Sequence, residues 1–91
     1  MYEMRRSQVA RAILDYLLTH PDAQDTLTGI TQWWLPDRRI KTRTVIVKQA
    51  ITSLVRKGFV IVRRSKDAQL HYRINEHKLK EIEALLQQKA V

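Results

Sequence analysis

Cysteine is absent, and only two glycines and two prolines occur in 91 residues. Without cysteine a small domain has neither disulfide staples nor thiolate zinc sites, so the fold must close by packing alone. The scarcity of glycine and proline confines local punctuation to a few sites, which argues against a disordered tract or a linker-rich array. Internal repeats and low-complexity segments are also missing. No apolar run approaches the roughly 20 residues of a membrane-spanning helix. The stretch from Met1 to Arg6 leads into an amphipathic segment rather than a signal-type apolar one. One cytoplasmic domain over residues 1–91, without a membrane partner, is the expectation, and its length supports a single small core.

Carboxylates are scarce and unevenly placed. Seventeen Lys and Arg stand against nine Asp and Glu, for a formal charge of +8. Between residues 38 and 66 there is no Asp or Glu at all, yet ten cations occur: Arg38, Arg39, Lys41, Arg43, Lys48, Arg56, Lys57, Arg63, Arg64 and Lys66. A run of Lys and Arg can be no more than a solvated face. Ordinary surfaces intersperse both signs, however, and one sign sustained over 29 residues points to a polyanionic partner, nucleic acid above all. If about four to six of these side chains met phosphates, the affinity would fall with salt on a log–log slope of roughly −4 to −5.

Apolar spacing gives the elements. Val9, Ile13, Tyr16 and Leu17 recur at helical intervals after Ser7, a candidate N-cap, and predict a helix to Thr19 that Pro21 stops. Asp25 is placed to cap a second, short helix carrying Leu27, Ile30 and Trp34 and ending near Leu35 and Pro36. After a polar, basic connector, Thr42 can cap a third helix over about 42–57, with Gly58 as its C-terminal stop. Val47, Ala50, Ile51, Leu54 and Val55 form its buried arc, which leaves Val45, Gln49, Thr52 and Arg56 on the outward side. Phe59 to Val62 and Leu70 to Ile74 read as two strands of a hairpin with a polar tip from Arg63 to Gln69. Asn75 caps a last helix over about 75–90 with Leu79, Ile82, Leu85 and Leu86 on one stripe.

The order helix, helix, helix, hairpin, helix resembles the winged helix-turn-helix superfamily of DNA-binding domains. Val47, Ala50, Ile51 and Leu54, then Gly58, Phe59 and Val60, then Tyr72, Arg73 and Ile74 are similar to the third-helix, wing-strand and wing-return pattern of small bacterial and archaeal transcription factors of the MarR, PadR and ArsR type. The resemblance implies an α+β fold with a three-helix core, a two-stranded wing over about 59–74 and a C-terminal helix. It implies major-groove contact by Thr42, Arg43, Val45, Gln49 and Thr52, and wing contact by Arg63, Arg64 and Lys66. Arg38, Arg39, Lys41, Lys48 and Arg56 join the expected DNA face by charge. Two features depart from the family pattern: the longer, more basic connector before the third helix, and the segment from Gly29 to Leu35 with its adjacent tryptophans.

Side-chain chemistry refines the expectation. Gln49 can make a bidentate pair with adenine and Arg43 with guanine, whereas Val45 and Thr52 offer methyl or hydroxyl contacts. Trp33 and Trp34 point about 100° apart on a helix, so both cannot enter one core position. Trp34 is expected in the core, and Trp33 either edges it or meets a partner. The stripe of Leu79, Ile82 and Leu86 is either a core element or a self-association seam. As a seam it would give a homodimer with its two third helices about 34 Å apart on a palindromic site. His20, His71 and His77 share no ligand spacing, and no nucleophile motif, phosphate loop or paired acid occurs. No enzyme activity, cofactor or metal is expected. The reading is a transcriptional regulator that binds double-stranded DNA sequence-specifically. The alternatives are a protein-association module and non-specific DNA or RNA binding through the same basic face.

Overall fold

In a computed structural model of the chain, which describes residues 5–34 and 44–87, apolar spacing translates directly into α1, Arg6–Thr19, whose inner face buries Val9, Ile13, Leu14 and Leu17. The helix starts earlier than Ser7. Arg5 holds the cap position, and Gln8 Oε1 reaches back to accept its N–H at 2.8 Å. A glutamine three residues on can thus anchor a first turn that has no hydroxyl at its cap. At the far end His20 donates its N–H to the Tyr16 carbonyl at 2.9 Å, and its ring stacks on Tyr16 at 4.2 Å.

Beyond Pro21 the chain forms β1, Gln24–Asp25, a strand of two residues. The next helix is α2, Leu27–Gly29, and it continues as a π-helical turn over Ile30–Trp34. Its cap is Thr26, not Asp25: Thr26 Oγ1 accepts the Gly29 N–H at 3.3 Å, and Asp25 Oδ1 accepts the Thr26 N–H at 2.8 Å. Asp25 is drawn one position outward because its backbone pairs in the sheet. Ile30 is fully buried. The expected end of this helix at Leu35 and Pro36, the connector and the Thr42 cap lie outside the described residues.

The third helix, α3, Thr44–Arg56, buries Val47, Ala50, Ile51 and Leu54. It stops at Gly58, whose φ of +81° is the left-handed conformation open to glycine. There Gly58 donates to the Val55 carbonyl and Phe59 to the Leu54 carbonyl, each at 3.0 Å, so two end carbonyls of the helix are satisfied in a Schellman arrangement.

Two strands follow, β2, Val60–Arg64, and β3, Leu70–Ile74. The sheet is antiparallel in the order β1-β3-β2, with Val60 opposite Ile74 and Arg64 opposite Leu70. Arg63 and Arg64 are therefore strand residues, not tip residues as the sequence suggested, because each pairs across the ladder with His71 and Leu70. Only Val60 and Ile74, at the base, are buried. The rest of the hairpin runs on past the core edge, with Ile61, Val62 and Leu70 about 40% exposed (40%, 38% and 42%).

Asn75 precedes a 3-10 turn, Glu76–Lys78, that leads into α4, Leu79–Gln87. α1 packs against α3, α4 and β3. Every buried side chain among the described residues is apolar, each Ile or Leu contributing about 1.5–3 kcal/mol relative to exposure. Among the described residues the fold is a small α+β one of four helices on a three-stranded antiparallel sheet. Among the described residues no helix is long and apolar enough to cross a membrane.

Candidate nucleic-acid interface

The buried arc of α3 determines what its other side offers. With Val47, Ala50, Ile51 and Leu54 committed to the core, Val45, Gln49, Thr52 and Arg56 all stand exposed at intervals of four, three and four. This is the outward face that the sequence predicted. Val45, at 51% exposure, is an apolar side chain left open near the start of that face. From Val45 to Arg56 the face extends roughly 16 Å along the helix axis.

Lys48, exposed next to this face, connects it to the hairpin. It lines a cleft of about 450 Å3 together with Thr26, Leu27 and Thr28 from the start of α2 and Gln69, Leu70 and Tyr72 from the hairpin. Among the described residues no carboxylate lines this cleft. Strand alternation then sorts the hairpin arginines. Arg64 lies opposite Leu70, and Val62 opposite Tyr72, so Arg64 belongs to the side of the hairpin that lines the cleft. Arg63 lies opposite His71 and belongs to the other side. The two arginines, adjacent in sequence, do not act on one surface.

Lys66 is exposed at the tip, beside the acid Asp67. There the chain turns through Ser65–Gln69, closed by the Ser65 N–H to the Gln69 carbonyl at 2.9 Å and the Ala68 N–H to the Ser65 carbonyl at 3.0 Å. Asp67 Oδ1 accepts from the Ser65 hydroxyl and from the Gln69 N–H. These hydrogen bonds, the serine's first, hold the Asp67 carboxyl below its ordinary value of 3.8. The tip acid thus stays ionised and locks the turn.

The cations do not all converge. Lys57 lines a second groove, of about 480 Å3, with Arg6 and Arg11 of α1 and with Leu85 and Leu86 of α4. In that groove Arg11 donates to the carbonyls of Leu85 and Leu86 at the end of α4. Arg38, Arg39, Lys41, Thr42 and Arg43, all assigned to the DNA face from sequence, lie outside the described residues. So does the side chain of Trp33. Ile82, expected with Leu79 and Leu86 as a partner contact, is instead fully buried in the core, while Leu79 and Leu86 are half-buried against it. The correction has a simple cause: α4 lies on α1, and a nine-residue helix has one narrow stripe to give.

Thr26, Thr28, Gln69, Leu70 and Tyr72 are cleft residues that sequence reasoning did not single out. They meet there because β1 pairs with β3, and a two-residue strand carries no detectable period. Comparison with protein-family models, curated proteins and solved structures found no match to the chain.

Proposed function

We propose that this protein is a winged helix-turn-helix transcriptional regulator that binds double-stranded DNA, with α3 as the groove-reading helix and the β2–β3 hairpin as the wing. One observation carries the reading: Lys48, beside the exposed face of α3, and the Arg64 side of the hairpin flank a cleft that no carboxylate lines among the described residues. The major groove of B-DNA is about 12 Å wide and admits one helix. A helix seated there by the Val45–Gln49–Thr52 face brings Lys48 and the hairpin toward the adjoining phosphates. The charge distribution supports the same partner, since the cations of residues 38–66 are unopposed over that stretch.

Selection of bound duplexes from a random pool, followed by titration of the recovered duplex at two salt concentrations, tests the proposal. Enrichment of a common sequence, bound with an affinity that falls steeply with salt, is the expected result. Binding that ignores sequence would reduce the role to general nucleic-acid association. No binding even at low salt would end the DNA reading.

A further inference from the structure

Resting on that reading, we propose that the recognition face of α3 selects A·T pairs, with Val45 sensing the 5-methyl group of thymine and Gln49 pairing with adenine. The argument begins with Val45. A valine half open to water contributes nothing to the core, and its two methyls are available for burial against a ligand. The major groove presents one apolar group among its base edges, the thymine methyl. Gln49, one turn further on the same exposed face, carries the amide whose donor and acceptor match adenine N7 and N6.

Spacing agrees. Four residues of helix advance about 6 Å, close to two base-pair steps at roughly 3.4 Å each. Val45 and Gln49 therefore address positions about two base-pair steps apart in one short site, and Thr52 extends the face to about four base pairs. Guanine is read best by a cation and cytosine by a carboxylate. Among the described residues of this face, Val45, Gln49 and Thr52 supply neither, Lys48 lines the cleft, and Arg56 stands in the last turn.

The test replaces thymine by deoxyuridine in the best duplex recovered from the pool. This removes a methyl while leaving every base pair and phosphate in place. The folded wild-type protein should bind the uracil duplex about fourfold more weakly for each methyl it contacts, the worth of one carbon removed from water. Val45→Ser, which puts a hydroxyl where the valine methyls stood, should bind both duplexes alike. Val45 is exposed, so this variant should keep its fold, which thermal melting checks. Equal binding of the thymine and uracil duplexes by the wild-type protein would overturn the inference while leaving DNA binding intact. A difference that persists in Val45→Ser would assign the methyl to another residue and overturn it equally. Absence of binding to any duplex would instead remove the reading on which it rests.

Discussion

The side chain of Asn75 donates from Nδ2 to the carbonyl of Gly58 at 2.7 Å, across seventeen residues of chain. Its Oδ1 accepts the His77 N–H at 3.1 Å, and its own N–H meets the Phe59 carbonyl at 2.9 Å. One residue thus joins the end of α3, the base of the hairpin and the start of the last helix. The geometry depends on Gly58, because its left-handed φ of +81° sets the direction in which that carbonyl points. The angle between the outward face of α3 and the hairpin is held at this junction.

Truncating Asn75 separates its two roles. Asn75→Ala loses the helix cap, worth about 1 kcal/mol, and the hydrogen bond to Gly58, worth about 1 kcal/mol more, for a total near 2 kcal/mol in urea unfolding. Asn75→Ser keeps an acceptor for the His77 N–H but cannot span to Gly58, so it should lose about half as much. Equal losses in the two variants would mean that the clasp to Gly58 carries no weight.

Two positions of left-handed backbone should respond with opposite signs. Gly58 has open space where a Cβ would stand, so Gly58→Ala meets only backbone strain of roughly 1–2 kcal/mol, reduced by about 0.5 kcal/mol from the stiffer unfolded chain. Ala68, at the hairpin tip with φ +64°, already bears that strain. Ala68→Gly relieves it at the expense of unfolded-chain entropy and should stabilise by about 0.5–1 kcal/mol. Thermal unfolding of both variants measures the pair, and a destabilised Ala68→Gly would contradict the account of the tip.

Ile82 offers a test of what α4 does. It is fully buried within the monomer, so Ile82→Ala should destabilise by about 2–5 kcal/mol through lost burial and the cavity left behind. The loss belongs to the folding of one chain and should not change with protein concentration. A midpoint shift that grew on dilution would instead place Ile82 at an interface between copies.

What the sequence disclosed followed from period. The outward face of α3 was legible residue by residue, because thirteen residues give helical spacing room to declare itself, and Gly58 marked its end. Features that depend on chain meeting chain were hidden. Gln24 and Asp25 look like loop until β3 supplies their partner, and that pairing displaced the cap from Asp25 to Thr26. Arg63 and Arg64 read as one basic cluster until ladder register put them on opposite sides of the hairpin. The stripe on α4 was visible, but whether it served the core or a seam depended on α1 lying beneath it.

The hairpin tip should weaken in acid. Its hydrogen bonds to Ser65 and Gln69 lower the Asp67 pKa from the ordinary 3.8, so the ionised form is preferred by the folded turn. That contribution is complete above the ordinary value and is lost as the pH falls through the lowered one. An NMR titration should show the Gln69 amide shifting in step with Asp67, below the midpoints of unperturbed carboxylates. In Asp67→Asn that shift should vanish, and its persistence would assign the transition to another group.

On the proposed DNA-binding reading, the split of the hairpin arginines should produce unequal effects. Arg64 lies on the Leu70 and Tyr72 side that lines the cleft, and Arg63 on the side of His71. A helix seated in the groove by Val45, Gln49 and Thr52 would bring the cleft side toward a phosphate strand and turn the other side away. Removing one phosphate contact lowers the magnitude of the salt slope by about 0.9, so Arg64→Ala should flatten it by nearly one unit and weaken all duplexes alike. Arg63→Ala should leave the slope within error of the wild type. If both variants flattened the slope equally, the hairpin would be meeting DNA by its tip or edge, with both faces in reach of phosphate, and the cleft would not be the path of the backbone.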